Sequence, residues 1–564
     1  MHLFFSENMR GEVAMSKKLA DLMFPDIDKT PEYYEELYPK RDLPEGAVVT
    51  RFAPSPTGFI HMGSLFTANV ARRIASQSNG IYFLRIEDTD GKREIDNGIS
   101  AIINGLKVFD VQFDEGPIND DGDEKGKYGP YVQSQRREIY QAFAKSLVEK
   151  DLAYPCFCTE EQLNNLRQVQ ESVKALPGYY GTYAHCRNIS EEEAIEKINN
   201  GEKFVVRLRS KGNPMKKVKY HDLIKGNIEF PENIQDIVII KSDGLPTYHF
   251  AHAIDDHLMR TTHVIRGDEW VSSVPLHLQL FEMLGFEVPK YVHVAPIMKE
   301  DNGSKRKISK RKDPEASASY YKENGIPKES VIDYLMNIAN SNFEDWRREN
   351  PLAPVDDFKV SIEKMGVSGA IFDLVKLADV SKNVISTFTA EKVYSEGLEW
   401  AKEYDKELAA LMEKYKDNTI AMLNIERTGK KIRKDISKWA DLRENLEYMY
   451  DELYFAKDRD YEWQNITNPD EIKNILNDYL KVYSSEDDKD TWFNKIKDVA
   501  EKFGYAREVK EYKKNPGSYK GHVGDISTVI RVAVTSRRNT PDLYEILRIL
   551  GESRIKDRVN SLKI

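Results

Sequence analysis

After Gly46 the apolar positions fall into a readable order. Val48-Val49-Thr50-Arg51-Phe52 is a short, mostly apolar run that predicts a buried strand. A Pro-Ser-Pro-Thr-Gly loop follows, and Ser64 stands where it can cap a helix carrying Leu65, Ala68, Ala71 and Ala75 at helical spacing. Ile81 to Ile86 predicts a second strand, ending in Glu87-Asp88-Thr89-Asp90. Strand, loop, helix and strand in about 40 residues make a βαβ unit, which implies a parallel sheet with right-handed crossovers. Strand-like runs return at Ile237–Ile240, Thr262–Arg266 and Tyr291–Val294, so the same sheet is predicted to resume after an insertion. Beyond about residue 320 the strands fade. Val331, Ile332, Leu335, Ile338 and Ala339, and later Leu543, Ile546, Leu547 and Leu550, recur at helical spacing. Residues 1–47, broken by Pro25, Pro31, Pro39 and Pro44, read as an extended N-terminal arm, with Met15 as an alternative start. No internal repeat is evident.

Composition narrows the class. The chain has 564 residues, 40 % of them hydrophobic, which is too apolar for a disordered chain and enough for several domains. No window approaches the ~18 apolar residues of a spanning helix, and the first residues lack a signal-peptide core. Three cysteines cannot form a disulfide framework. These features predict a large cytoplasmic enzyme without a membrane partner. The net charge of −10 argues weakly against nucleic acid, but binding follows local charge, and two basic runs stand out. One spans Lys305 to Lys312, with six cations in eight positions around Ser309. The other runs from Arg427 through Lys430, Lys431, Arg433 and Lys434 to Lys438.

The first strand-to-helix turn carries His61-Met62-Gly63-Ser64. A His-x-Gly triplet is a weak signal, since roughly 0.6 are expected by chance in a chain of this composition. Its position strengthens it, because ligands of open α/β sheets sit at the carboxyl ends of strands, where helix N-termini favour phosphate. There the glycine admits a nucleotide to the backbone and the imidazole can bond a phosphate oxygen. Lys307-Ile308-Ser309-Lys310-Arg311 is a lysine-rich loop that can close over a triphosphate and neutralise a departing pyrophosphate. The pair is far more specific than either motif alone. The reading as a mere helix cap with an incidental histidine stands beside it.

These residues resemble a known family. Pro54 to Ser64 resembles the "HIGH" region of class I aminoacyl-tRNA synthetases, and Lys307 to Arg311 resembles their "KMSKS" loop. Arg51 to Gly58, Leu84 to Asp90, Pro246 to Ala251, Val264 to Trp270, Tyr519 to Asp525 and Thr540 to Tyr544 resemble glutamyl-tRNA synthetases specifically, in the family's order. The resemblance implies an α/β fold: a Rossmann-type parallel-sheet catalytic domain with an inserted acceptor-binding α+β domain and an all-α C-terminal anticodon-binding region. The corresponding division is 1–47 arm, 48–150 and 240–304 catalytic, 151–239 insert, 305–385 loop and stem-contact region, and 386–564 anticodon region.

The implied reaction joins L-glutamate to tRNA(Glu) through glutamyl-adenylate, with ATP as substrate and Mg²⁺ as companion; whether tRNA(Gln) is also charged with glutamate stays open. The implied protein is a monomer. Arg51 and Arg266 match the family's substrate arginines, and each can pair with a carboxylate. Glu87 matches the residue that holds the ammonium, with Ala53, Ser55, Tyr248 and His252 completing the glutamate set. His252 stands where relatives often have Asn. ATP falls to His61, Gly63, Ser64, Glu269 and Lys310, with His61, Lys307, Ser309 and Lys310 stabilising the phosphorus and the pyrophosphate. Ser64 replaces the second His of "HIGH". Some members hold structural zinc through a Cys-x-Cys pair, a third Cys and a His. Cys156, Cys158 and Cys186 match, but the fourth position is Asn188, so His185 or Tyr183 would have to substitute, and a degenerate site of free thiols is the other reading. The cluster of three His and two Asp between Tyr248 and His257 offers metal ligands in principle, whereas the resemblance puts it along the substrate pocket. Glutaminyl-tRNA synthetase, a small-molecule nucleotidyltransferase and a non-catalytic tRNA-binding protein are the competing functions.

Overall fold

The computed structural model describes residues 17–58, 60–90, 95–309, 311–429, 431–456 and 461–563. Lys310, Lys430 and the alternative start at Met15 lie outside the described residues. The chain divides into two compact units: Met1–Ala318 with Ile332–Asp373, and Ser319–Val331 with Leu374–Ile564.

In the first unit, Val49–Phe52 and Ile81–Leu84 pair in parallel, with Val49 opposite Ile81 and Phe52 opposite Leu84. All four residues of Val49–Phe52 are buried, as expected of a strand covered on both faces. The helix Met62–Ser76 joins the two strands and buries Leu65, Phe66, Ala68, Val70, Ala71, Ile74 and Ala75. It begins two residues before Ser64, because His61 rather than Ser64 is its N-cap. His263–Gly267 and Lys290–Val294 form a second parallel pair. Thr262 N–H donates to Val49 O at 3.0 Å, which seats that pair beside the first.

Two expectations are corrected, and one pairing is added. Val238–Ile240 does not belong to the parallel sheet: it pairs antiparallel with Val205–Leu208, itself antiparallel to Ala153–Cys156. A short apolar run signals burial but carries no information on strand direction. The hairpin Lys217–Asp222/Gly226–Pro231 joins the parallel pair, through Asp222 opposite Tyr291. Asp222 Oδ1 accepts Ile224 and Lys225 N–H at 3.0 and 2.8 Å, and Gly226 takes φ +74° to close the turn. Finally, residues 17–47 are not an extended arm. Residues 17–23 and Pro31–Leu37 are helical, and Leu19, Met23, Phe24, Ile27, Tyr34 and Tyr38 join the core that contains Phe143, Leu147, Met259 and Phe281. The spacing of Leu19, Met23 and Ile27 is helical; the prolines that obscured it lie between or at the starts of helices, where proline is tolerated. Arg41 fastens the segment with a two-pronged bond to Glu115 at 2.8 and 2.9 Å.

The second unit is helical, and among the described residues no strand follows Lys307. Its core gathers Trp439, Leu442, Tyr454, Ile475, Trp492, Ile526, Val529, Ile546 and Leu547. Arg427, the first cation of the second basic run, is internal here. It is 8 % exposed and donates to the carbonyls of Leu423, Ile385 and Phe388, and burial lowers its pKa to about 10. Arg433 and Lys434 are engaged by Asp435 and Asn383. Within this run, Arg427 thus serves as a bond to helix-end carbonyls.

Candidate active site

The carboxyl ends of Val49–Phe52 and His263–Gly267 open into a pocket with about 210 Å³ of free volume. Its lining brings together Arg51, Ala53, His61, Gly63, Ser64, Glu87, Tyr248, Arg266, Glu269 and Lys307, residues up to 256 positions apart in sequence. Of the other sequence candidates, Ser55 is exposed outside this lining, His252 is fully buried beneath Tyr248, and Ser309 lies just past the rim.

The His61 turn is built by helix capping. His61 Nδ1 accepts Ser64 N–H at 3.1 Å, and Ser64 Oγ lies 2.9 Å from Nε2. A Cβ on Gly63 would meet the imidazole at 3.2 Å, so this glycine lets the ring fold back over the helix end. His61 also pairs with Ser317 in an antiparallel bridge, which ties the turn to the chain just after the lysine-rich loop. That loop leaves the hairpin Met298–Asp301/Ser304–Lys307. Arg306 forks onto Asp313 at 2.6 and 2.8 Å, and Asp313 also accepts Ser309 N–H at 2.8 Å. These bonds hold the Asp313 carboxyl well below the usual carboxylate range. Arg306 therefore shapes the loop, while Lys307, 54 % exposed, reaches Glu269 across the pocket mouth at 3.3 Å.

The two pocket arginines differ in their backing. Arg51 donates to Asp256 at 3.2 Å and to Ile265 O at 3.2 Å. Asp256 also takes Arg85 at 2.8 Å, and these cations hold it well below its ordinary pKa despite burial. Arg266 Nε donates instead to His293 Nε2 at 3.0 Å, and Nη2 to His277 Nδ1 at 3.3 Å and Trp270 O at 3.4 Å. Its Nη1 is buried with no partner among the described residues. Glu87 is pushed up to about 7 by burial, against the opposing pull of Arg85 and Arg51. The histidines and aspartates between 248 and 257 disperse: His249 to His277, His252 to Asp256, His257 to Glu35, and Asp255 to Arg136.

Asp222, His277 and His293 escaped sequence reasoning. The available signal was His293 itself, a polar side chain amid the apolar run Tyr291–Val294. Trp270, tilted against Tyr248 with ring centroids 4.4 Å apart, was quoted only as part of a motif.

With this geometry in hand, similarity to known proteins is informative. Residues 47–347 match the catalytic domain of the class I tRNA synthetases (E and Q), and residues 407–562 match an anticodon binding domain. The glutamate–tRNA ligase of Clostridium perfringens (strain 13) is 55 % identical over 544 residues, 96 % of this chain and all of that one. The chain belongs to the glutamate–tRNA ligase family. Another family member, from Sorangium cellulosum (strain So ce56), is 47 % identical over 94 % of this chain and 97 % of its own. The fold of this ligase also matches a solved glutamate tRNA ligase from Elizabethkingia meningosepticum CCUG26117, with a TM-score of 0.71 at 24 % identity, over 92 % of this chain and 100 % of that one. Like its relatives it is an ATP-dependent synthetase, with a class I α/β catalytic domain followed by a helical anticodon-binding domain.

A second constellation lies in the antiparallel insert. The sulfurs of Cys156, Cys158 and Cys186 converge within 4.8 Å. Tyr179 Oη lies 3.5 Å from Cys156 Sγ and 3.3 Å from Cys158 Sγ, and the Cys158 and Cys186 sulfurs are 3.6 Å apart. Three convergent thiols are ligands that zinc accepts, and the Tyr179 hydroxyl is an oxygen close to two of them. Hydrogen bonds from Cys158 and Cys186 favour the thiolate at Cys156. His185 is exposed, and the oxygen found beside the Cys156 and Cys158 sulfurs is that of Tyr179, a residue not named from sequence.

Proposed function

We propose that the chain attaches L-glutamate to tRNA(Glu) in two steps. The glutamate α-carboxylate attacks the α-phosphorus of ATP, pyrophosphate leaves, and the 2′-hydroxyl of the terminal adenosine then takes the glutamyl group from the adenylate, releasing AMP. The observation that carries the proposal is one pocket walled by the His61 turn, by Lys307 and by a buried arginine with an open donor.

In this reading Arg266 receives the side-chain carboxylate of glutamate through Nη1, and Glu87 holds the ammonium. A bound ammonium favours ionised Glu87, offsetting the burial that raises its pKa. Arg51, already anchored by Asp256, borders the α-carboxylate. Tyr248 and Trp270 form the apolar wall. His61 and Gly63 border the triphosphate, and Lys307 with Lys310 closes on the departing pyrophosphate. Mg²⁺ accompanying ATP adds positive charge at the phosphates. Ser55 and His252 take no direct part, since one lies outside the pocket and the other behind its wall.

Residues 151–239 are assigned to the acceptor end of tRNA, 305–385 to its stem and 386–564 to the anticodon. The enzyme is a cytoplasmic monomer in this proposal. Zinc, where bound, ties the Cys156 turn to the Cys186 turn through Cys156, Cys158, Cys186 and Tyr179. Metal analysis of the purified chain should then find one zinc, and Tyr179→Phe should weaken its retention against a chelator at least tenfold; absence of zinc in the parent protein would favour free thiols.

The deciding experiment is charging of tRNA(Glu) and tRNA(Gln) with labelled glutamate or glutamine, alongside pyrophosphate exchange with and without tRNA. Glutamate on tRNA(Glu) supports the proposal, and glutamate on both tRNAs extends it. Glutamine as the substrate, or exchange with neither, overturns it.

A further inference from the structure

Among the described pocket cations, Arg51 and Lys307 pair directly with carboxylates, whereas Arg266 bonds only neutral acceptors. Its Nε and Nη2 face His293 Nε2 and His277 Nδ1, and its guanidinium lies 4.9 Å from the centre of the Tyr291 ring. A guanidinium only donates. Both imidazole nitrogens that face it must therefore accept, which fixes the tautomers. His293 keeps its proton on Nδ1 and donates to Asp222 Oδ2 at 2.6 Å. His277 keeps its proton on Nε2 and donates to His249 Nδ1 at 2.9 Å. His277, His293 and Asp222 are all fully buried. Asp222 is brought there by the hairpin that attaches opposite Tyr291, and its oxygens are already engaged by His293 and by the Ile224 and Lys225 N–H groups.

From this we infer that His293 with Asp222, and His277 with His249, are positioning residues that make the enzyme select an acid over its amide. They hold Arg266 by neutral acceptors, so that two of its nitrogens are aimed and occupied while its full charge and Nη1 remain for the substrate side chain. Direct carboxylate backing, as Asp256 gives Arg51, would aim the guanidinium equally well but would cancel the charge that distinguishes glutamate from glutamine. Interposing an imidazole between Asp222 and Arg266 separates the two tasks. The carboxylate fixes the ring, the ring fixes the arginine, and the backing carboxylate stays one imidazole away. This inference rests on the proposed role of Arg266 and adds what sets its selectivity.

The test uses the full-length enzyme with tRNA, measuring kcat and KM for glutamate, glutamine and ATP in the parent and in four variants, with thermal unfolding of each. Arg266→Ala tests the underlying assignment: an unchanged glutamate KM overturns that assignment and the inference with it. His293→Leu should raise the glutamate KM at least tenfold while kcat and the ATP KM stay within threefold. His293→Gln can still accept from Arg266 and donate to Asp222, and should recover most of the loss. His277→Glu places a carboxylate on Arg266, and should lower the preference for glutamate over glutamine at least tenfold. A raised glutamate KM in Arg266→Ala combined with an unaltered one in His293→Leu overturns the positioning role alone. So does an equal rise in the KM of glutamate and ATP in both His293 variants, which would mark general distortion. An undiminished glutamate preference in a folded His277→Glu enzyme overturns the charge argument.

Discussion

The chain contains two His-x-Gly turns, one in each unit, and they are built alike. His61 caps Met62–Ser76 and His522 caps Val523–Thr535, each imidazole accepting a backbone N–H at the helix start, at 3.1 and 3.0 Å. In both, the glycine makes room for the ring: a Cβ would meet the imidazole at 3.2 Å on Gly63 and 2.8 Å on Gly524. Yet only the first borders the pocket. The second is completed by Asp525, which accepts His522 N–H at 2.8 Å in a capping box, and is packed under Tyr512. The triplet is thus a capping device, and chemistry is added by what stands opposite it: Lys307 and Arg266 in one case, a helical core in the other.

The sharpest way to break this comparison is to remove both histidines. His61→Ala and His522→Ala should each cost about 1 kcal/mol of stability as lost caps, read from denaturant midpoints. His61→Ala alone should lower kcat by roughly 10²–10³-fold, the scale of a lost transition-state donor. Equal catalytic losses would mean that the pocket histidine is only a cap. Next comes pH. Glu87 titrates at about 7 in the folded protein against an ordinary 4.5, so the native state holds an extra proton between those values. Stability from this group is complete below pH 4.5 and is lost as pH rises through 7, a fall of roughly 3 kcal/mol. Glutamate KM should improve over the same rise, as the ionised carboxylate becomes available. Urea titrations from pH 5 to 8 should show the slope, and Glu87→Gln should flatten it.

Lys307→Ala is expected to reduce kcat by about 10–100-fold, the range of a charged hydrogen bond, with the unfolding midpoint unmoved because the side chain is half exposed. A shifted midpoint would make its bond to Glu269 structural. The smallest effects belong to the glycines. Gly63→Ala and Gly524→Ala each gain helix propensity and disturb a cap, leaving a net change within about 1 kcal/mol. Only Gly63→Ala should alter the ATP KM, by roughly threefold, as the displaced ring tilts toward the pocket.

The sequence made the βαβ unit legible because Val49–Phe52, Met62–Ser76 and Ile81–Leu84 each carry a local period or a continuous apolar run. It made most of the pocket legible through motifs read with a family resemblance. What stayed hidden was the directionality of Val238–Ile240, which only a partner strand defines, and the helical packing of 17–47, masked by prolines between short helices. Arg427 and Arg306 were legible only as members of basic runs, because a cation's role depends on carbonyls or carboxylates that are distant or not yet placed. The backing of Arg266 was hidden for the same reason: Asp222, His277 and His293 come from a hairpin, a helix and a strand with no common pattern. Tyr179 among the sulfurs was missed because its position relative to Cys186 follows no familiar spacing.

The docked segment over residues 17–47 has a consequence for synthesis on the ribosome. Leu19, Met23, Phe24 and Ile27 leave the exit tunnel early, but the core that covers them includes Met259 and Phe281, about 240 residues later. At typical elongation rates of roughly 5–20 residues per second, the last of that face's partners follow it by on the order of 10–50 s. Nascent chains of this enzyme should therefore engage holding chaperones through their first described helix, and release them in full after the strand carrying Arg266 and the helix after it complete that core.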